Sequence, residues 1–240
     1  MSAPLDPCGD ARRHQTFTQA AHELRTPLAS ILGFTELLLK REFDPAEARE
    51  LLEIVHAQAE RMSALVSQVF DLARIESGGR AALRLAPAPV DGLLVQALAG
   101  VAAHDPRGRV ALELAPDLPP VAADAQRLAQ ALANALDNSL RYSTPATPVL
   151  VRACAAPQAN GPAVLLEIRD AGPGMTALEQ QRLFEPFWRG QRQGAGGTGL
   201  GMAIFKEIMD AHGATVALVS APDAGTVLTI RLPAAGALDA

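Results

Sequence analysis

One histidine, His22, stands where its imidazole could act as a nucleophile. When residues 17–38 are laid on a helix, His22 falls on the face opposite the apolar positions, so its ring should face solvent. Glu23 is adjacent and could accept the Nδ1 proton, which would leave Nε2 free to attack. Thr26 lies one turn further on the same face, and Pro27 removes the N–H that would bond the Glu23 carbonyl. A surface histidine on a charged helix face is the simpler interpretation of this segment alone.

A polar stripe in the middle of the chain could hold a metal ion and phosphate groups. Asn134, Asn138 and Arg141 share one face of a predicted helix. The amide oxygen of Asn138 suits Mg²⁺ that is held mainly by nucleotide phosphates. Arg141 could bind phosphate, and Tyr142 could pack on a base. Taken alone, an ordinary polar helix face explains this cluster more simply.

Asp170 ends a stretch in which the even-numbered residues are apolar, so its carboxylate should point toward the core. A buried carboxylate needs a hydrogen-bond donor, and the exocyclic amine of adenine would be a suitable one. Gly172 and Gly174 would allow a tight turn and the close approach of a ligand. A turn that begins at an aspartate accounts for these residues equally well.

A glycine-rich run opens a predicted helix and could bind an anion through its backbone N–H groups. It lacks the Gly-Lys-Ser/Thr of a Walker A loop, and no strand comes directly before it as a dinucleotide fingerprint requires. The loop ahead of it offers Arg189 and Arg192 as basic candidates for phosphate contacts. Phe187 belongs to an aromatic cluster before that loop, where core anchoring is the simpler role. The run comprises Gly197, Thr198, Gly199, Leu200 and Gly201.

The elements that must position these residues fall into two unlike parts. From about Arg12 to Ser77 the apolar positions follow a helical repeat with a break near 41–44, which predicts two long helices. A lone hairpin cannot bury so wide an apolar stripe, so we expect it to dimerise into a four-helix bundle. From about Leu83 onward short strands alternate with helices, which predicts a two-layer α/β domain. Strands are expected near 83–88, 109–114, 148–154, 163–170, 214–219 and 225–232, and helices near 91–103, 124–142, 176–183 and 199–212.

Composition excludes several classes of function. The 240 residues carry a net charge of −5 at pH 7, and 49% of them are hydrophobic. Because no basic surplus is available to neutralise phosphates, we do not expect a nucleic-acid partner. No uncharged apolar run approaches the ~18 residues of a membrane span, and the two cysteines lack the spacing of a metal site or a disulfide framework. We therefore expect a soluble, cytoplasmic chain without a membrane span.

Taken together and in this order, the clusters resemble the motifs of two-component sensor histidine kinases. The segment from His22 to Leu28 resembles the phosphoacceptor H box, and Asn134 to Tyr142 the N box. Residues 170–174, 184–188 and 197–201 are similar to the G1, F and G2 boxes. The resemblance implies an α+β chain, in which an N-terminal two-helix hairpin forms a dimeric four-helix bundle and a two-layer α/β sandwich binds ATP. The implied bounds are 1–11 for a disordered N-terminus, 12–78 for dimerisation and histidine phosphotransfer, 79–233 for the catalytic domain and 234–240 for a tail.

The resemblance also implies an activity and a role for each site residue. The chain would be a homodimeric autokinase that transfers the γ-phosphoryl group of ATP to His22, with Mg²⁺, and then to an aspartate of a response regulator receiver domain. Glu23 would be the base, and Thr26 would hold a water for dephosphorylation of that partner, although a purely structural role beside Pro27 is equally compatible. Asn138 would bind Mg²⁺, Asp170 would recognise adenine, Arg141 would contact phosphate, Tyr142 would lie against the nucleotide, and Gly199 and Gly201 would serve the lid.

Two other functions explain part of the pattern. An ATPase or protein-serine kinase of the gyrase, Hsp90, kinase and MutL superfamily would share the nucleotide site. It would give no reason for a His22-Glu23 pair on a dimerising hairpin. A non-catalytic scaffold predicts the loss of His22, Asn138, Asp170 or the glycines, and all of these are present. Acid-labile, base-stable phosphate on the protein after ATP treatment would separate the three functions.

Overall fold

A computed structural model describes residues 7–103, 105, 107–158, 161–190 and 197–236. The chain divides into two compact units, one up to Ala73 and one from Arg74. The fold class expected from the sequence is confirmed: two long helices come first, and an α/β arrangement with a mixed sheet follows.

The helical unit contains α1 (Pro7–Lys40) and most of α2 (Pro45–Gly78), each of 34 residues; the last five residues of α2 belong to the second unit. Helix α1 begins at Pro7, ahead of the start near Arg12 that the apolar repeat indicates, and it runs through Pro27 without ending. Proline fits the first turn of a helix, where its missing N–H would have no partner. Asp44 caps α2, because its Oδ1 accepts the N–H groups of Ala46 and Glu47, both at 2.9 Å.

Much of the apolar stripe on these helices remains exposed in the single chain. Leu65 and Leu72 are buried, but Phe17 on α1 is 52% exposed and Leu52 on α2 is 55% exposed. Large apolar side chains on both helices therefore lack cover within one copy of the chain.

The α/β unit contains a mixed five-stranded sheet and a small two-stranded sheet. The five strands lie in the order β2-β4-β5-β7-β6, with β2 and β4 parallel and the other pairs antiparallel. Helix α4 packs against α3, α6 and β5. The bounds are β1 Ala86–Ala88, α3 Val90–Val101, β2 Val110–Leu114, β3 Val121–Ala123, α4 Ala125–Tyr142, β4 Val149–Gln158, β5 Gly161–Asp170, α5 Ala177–Arg182, α6 Gly201–Ala211, β6 Thr215–Ser220 and β7 Thr226–Pro233.

Three short features of the α/β unit differ from the sequence prediction in presence or length. Strand β3 was not expected, and a 3-10 helix over Gly79–Ala82 was not expected either. The strand predicted over 83–88 is shorter, because only Ala86–Ala88 pairs with β3. These elements are three or four residues long, too short to show a period of hydrophobicity, and they exist through pairing with distant segments.

Strand β5 and helix α4 supply the core beneath the site. Val164, Leu166 and Ile168 of β5 are buried, as the alternation in the sequence predicts. Leu132 and Leu136 of α4 are fully buried, which fixes the rotation of α4 about its own axis. The polar stripe of α4 is consequently left beside the end of β5 and the start of α6.

Candidate functional site

Asp170 is the most constrained acidic group of the site. It ends β5 and is 9% exposed. Its Oδ1 accepts the Gly172 N–H at 2.9 Å. Burial raises the pKa of Asp170 above its ordinary value, while hydrogen bonds from Gly172, the Ser139 side chain and the Thr226 backbone act in the opposite direction. The carboxylate is thus buried and oriented by several donors, without a cationic partner in these interactions.

The turn after Asp170 lies directly against the C-terminal end of α4. A Cβ at Gly172 would lie 2.9 Å from Asp170 Oδ1 and 3.0 Å from the Tyr142 carbonyl oxygen. Such separations leave no room for a side chain, so this close approach requires glycine. The structure thereby brings together Asp170, Gly172 and Tyr142, which lie apart in the sequence.

The polar face of α4 meets the start of α6. Asn134, Asn138 and Arg141 are all half-buried on this face. A Cβ at Gly201 would lie 3.7 Å from Asn134 Oδ1, and a Cβ at Gly197 would lie 3.5 Å from Arg141 Nη1. The Nδ2 of Asn134 is buried and has no hydrogen-bond partner among the described residues. A buried donor of this kind calls for an acceptor, which a bound ligand could supply.

Backbone contacts close the stem of the loop between Phe187 and Gly199. The Phe187 N–H donates to the Gly199 carbonyl at 2.9 Å. A Cβ at Gly199, whose φ is +76°, would lie 2.8 Å from Phe187 Cα, so this position requires glycine. Phe187 is buried, which fits a core anchor. The side chain of Leu200 is fully buried and packs in the core. The backbone N–H of Leu200 donates to Thr198 Oγ1 at 3.3 Å.

Two basic residues of the loop, Arg189 and Arg192, are predicted phosphate contacts. Arg189 is exposed. Arg192, the other predicted phosphate contact, lies outside the described residues. Among the described residues, Arg141 is a basic side chain that lies beside the glycine-rich run, where its Nη2 also pairs with Asp137 Oδ2 at 2.8 Å.

His22 and Thr26 are both exposed on α1, as the helical projection predicts. The contact at the imidazole Nδ1 is with Arg25, whose Nη1 lies 3.4 Å away. A guanidinium can only donate, so Nδ1 would be the acceptor in this long, exposed contact. The sequence prediction placed Glu23 at Nδ1 instead. On a helix, residues i and i+3 are neighbours whereas i and i+1 diverge, which explains why Arg25 occupies this position.

Ser139 is a contributor to the site that the motif pattern did not assign. It is 6% exposed on α4, and its side chain hydrogen-bonds the Asp170 carboxylate. Its sequence signal is a serine in the apolar stripe that includes Leu132 and Leu136, because a buried hydroxyl needs a partner.

Comparison with known proteins identifies both units. The family model for the His Kinase A phospho-acceptor domain matches residues 12–78. The model for the histidine kinase-, DNA gyrase B- and HSP90-like ATPase matches residues 123–236. The chain belongs to the histidine kinase family. The probable sensor histidine kinase TcrY of Mycobacterium tuberculosis is 36% identical over 225 residues, which cover 92% of this chain and 46% of that protein.

Solved histidine kinases have the same fold. The Acinetobacter baumannii kinase AdeS aligns with a TM-score of 0.68 at 24% identity, over 89% of this chain and 98% of that one. Full-length ShkA in complex with AMPPNP aligns with a TM-score of 0.62 at 26% identity, over 92% of this chain and 46% of that one. This histidine kinase chain spans about half the length of TcrY. It spans about a third of the length of the relatives CikA and KinB. Among the described residues, no helix is long and apolar enough to cross a membrane.

Proposed function

We propose that this chain is an ATP-dependent histidine autokinase, which phosphorylates His22 and passes the phosphoryl group to an aspartate of a response regulator receiver domain. The observation that carries the proposal is the phosphoacceptor-domain match over residues 12–78, which contains an exposed His22 and is followed by the ATPase-domain match. We assign dimerisation and phosphotransfer to 12–78 and catalysis to 79–233.

The α/β unit has groups suited to each part of ATP. The buried carboxylate of Asp170 would accept a hydrogen bond from the adenine amine, which compensates for its burial. The unpartnered Nδ2 of Asn134 would donate to an oxygen of the nucleotide, and Arg141 would contact phosphate. Tyr142, half-buried at the end of α4, would lie against the nucleotide. ShkA, a relative of this chain, has been solved with AMPPNP, an ATP analogue, which supports the assignment.

Asn138 would hold Mg²⁺ through its amide oxygen, a hard ligand on the same half-buried face of α4 as Asn134 and Arg141. When bound, the ion would neutralise phosphate charge during transfer. Gly197, Gly199 and Gly201 carry no side chains at the start of α6, as suits an anion-binding segment.

Phosphorylation would form a bond between Nε2 of His22 and the γ-phosphorus and break the bond from that phosphorus to the β,γ-bridging oxygen, which leaves with ADP. For this reaction the imidazole proton must lie on Nδ1, from which Glu23 would accept it. General-base assistance of this kind contributes about 10²–10⁴-fold in rate. Arg25 Nη1 lies 3.4 Å from the same ring nitrogen in an exposed contact, so Glu23 would replace Arg25 at Nδ1 in the reactive arrangement.

We further infer a cytoplasmic homodimer, held by the apolar side chains that the helical unit leaves exposed. Phe17, Leu28, Leu52 and Phe70 are each more than two-fifths exposed in the single chain. A second copy would cover this surface in a four-helix bundle, the arrangement in which two-helix hairpins bury a wide apolar stripe.

The test is phosphorylation with radiolabelled ATP and Mg²⁺, followed by acid and base treatment of the protein. We expect acid-labile, base-stable phosphate that disappears in His22→Gln. The matched control is His56→Gln, since His56 is also an exposed histidine of the helical unit. Acid-labile phosphate that persists in His22→Gln would show that another residue is the acceptor, and acid-stable phosphate would indicate the serine-kinase alternative.

A further inference from the structure

The turn that orients Asp170 is held at Met175 by two side chains from other elements. Gln180, on the short helix α5, donates through Nε2 to the Met175 carbonyl at 3.2 Å and to the Ser220 carbonyl at 2.8 Å. Ser220, the last residue of β6, accepts the Met175 N–H at its Oγ at 2.9 Å. Both backbone polar groups of Met175 are thereby fixed, and one amide group joins the turn to β6.

The same turn rests on the connection between β6 and β7 with no room to shift inward. A Cβ at Gly174, whose φ is +65°, would lie 1.8 Å from the Ala221 carbonyl oxygen. The Asp223 N–H donates to the Pro173 carbonyl at 2.7 Å, and Ser220 Oγ lies 2.8 Å from the Gly225 carbonyl oxygen that accepts from it. The backbone of the turn therefore packs directly against the backbone of the connection between β6 and β7. Gln180, on α5, holds the turn through the Met175 carbonyl.

This arrangement has a consequence for the Asp170 carboxylate. Its Oδ1 is oriented by the N–H of Gly172, which belongs to the turn that Met175 ends. Hydrogen bonds weaken steeply when their angle or distance changes, so the position of the turn decides how well Asp170 meets a donor on a base. Phosphate-side groups such as Arg141 lie on α4 and do not depend on these bonds.

We propose that Gln180, together with Ser220, is a positioning residue that sets the selectivity of the site for adenine over other purines. The inference rests on the proposed function, in which Asp170 recognises the adenine amine. The side chain of Gln180 is hydrogen-bonded to backbone carbonyls, so its role at the nucleotide would be indirect. Gln180 acts by holding the turn through Met175, and its helix α5 follows that turn in the chain, ahead of Phe187.

The experiment measures the affinity of the full chain for ATP and for GTP with Mg²⁺, by displacement of a fluorescent ATP labelled on its ribose. Gln180→Met keeps the length of the side chain and removes its donors. We expect its ATP affinity to fall at least roughly fivefold, with GTP affinity within about twofold of the original, as the loss of oriented hydrogen bonds to one base implies. The exposed Gln181 on the same helix provides the matched control, and Gln181→Met should leave both affinities unchanged.

Ser220 acts on the same turn from the other side and supplies a second pair of variants. Ser220→Ala should reduce the ATP-to-GTP preference in the same direction, whereas Ser220→Thr keeps the hydroxyl and should retain it. Circular dichroism establishes that each variant is folded. An unchanged preference in both Gln180→Met and Ser220→Ala, or an equal loss of ATP and GTP affinity, would overturn the positioning role.

Asp170→Asn separates this inference from the function on which it rests. If Asp170→Asn abolishes the preference for ATP and Gln180→Met leaves it intact, only the positioning role is wrong. If Asp170→Asn itself leaves the preference intact, adenine recognition by Asp170 is wrong, and the role of Gln180 is overturned with it.

Discussion

Acidification should destabilise the α/β unit through one buried histidine, His212. This residue follows α6, is 1% exposed, and uses both ring nitrogens. Its Nδ1 lies 2.8 Å from the Ile208 carbonyl oxygen, and its Nε2 lies 3.1 Å from the Asp124 nitrogen. Because a backbone N–H can only donate, Nε2 is the acceptor and Nδ1 carries the proton of the neutral ring.

Burial lowers the pKa of His212, and the charge of Arg80 acts in the same direction. The hydrogen bonds to Ile208 and Asp124 and the Asp124 carboxylate oppose this shift, but desolvation is the largest cause. A proton added at Nε2 would face the Asp124 N–H, so two donors would meet where one hydrogen bond had been. Protonation therefore cannot occur in the folded unit without breaking the link between α6 and α4.

The sign of the pH dependence follows from the lowered pKa. The unfolded chain binds a proton at this histidine near pH 6.5, whereas the folded chain does so only at lower pH. His212 thus contributes its full stability above about pH 6.5, and this contribution is lost as the pH falls toward the folded-state pKa. Over that interval the free energy of unfolding should decrease by up to about 1.4 kcal/mol per pH unit for this one proton.

The variant His212→Gln removes the titrating ring and leaves at least one buried backbone group without a partner. At neutral pH it should lower the free energy of unfolding by about 1–3 kcal/mol for that group. Urea unfolding is followed by the fluorescence of Trp188, the only tryptophan, which lies in the same unit. The matched control is His56→Gln in the helical unit, which should leave the Trp188 transition unchanged.

The decisive comparison is between the pH profiles of the original chain and His212→Gln. The difference between them should shrink as the pH falls below about 6.5, because only the original chain loses the contribution of this histidine. The raised pKa of Asp170 acts with the opposite sign, but it is common to both proteins and cancels in the difference. Parallel profiles over this range would refute the assignment of a buried neutral His212.

Three further changes test other parts of the structure. Gly174→Ala places a Cβ 1.8 Å from the Ala221 carbonyl oxygen and should lower the free energy of unfolding by more than about 2 kcal/mol, whereas Gly33→Ala on a helix, with open space around it, should not. A small loss for Gly174→Ala in urea unfolding would contradict the packing of this turn. Asn138→Asp puts a charge on the proposed metal ligand and should shift the Mg²⁺ concentration needed for half-maximal phosphorylation, and an unchanged dependence would contradict that role. Thr26→Ala should preserve phosphorylation of His22 and slow dephosphorylation of the response regulator at least roughly tenfold, about 1.4 kcal/mol of barrier, and an unchanged rate would leave Thr26 a structural role only.

Periodic features were predictable from the sequence because they depend only on local geometry. The two-residue alternation of β5 placed the Asp170 carboxylate inward, and the structure has it 9% exposed. The helical period placed His22 and Thr26 outward, and both are exposed on α1. In each case the side-chain direction follows from the backbone repeat, so distant contacts were not needed to predict it.

Contacts at single atoms were not predictable in the same way. Adjacency in the sequence suggests Glu23 as the partner of His22 Nδ1, and that role stays a prediction; the contact described at this nitrogen is with Arg25, one helical turn away at i+3. Gln180 meets Ser220 across 40 positions of sequence, so no local pattern could indicate that hydrogen bond. Strand β3 likewise depends on pairing with β1.

The residues that support the site through hydrogen bonds differ from the motif residues in one property: they are polar residues in buried, apolar surroundings. Motif groups such as Asp170 and Asn138 have the proposed task of binding a ligand, and their order along the chain resembles that of the family motifs. Ser139 and His212 are instead polar residues in otherwise apolar positions, each less than a tenth exposed. A polar group in such a position is tolerated only with its hydrogen bonds made, and here those bonds reach Asp170 and the first turn of α4. A polar residue that interrupts an apolar stripe is therefore a sequence-level indication of a positioning contact, even where the partner can be found only in the structure.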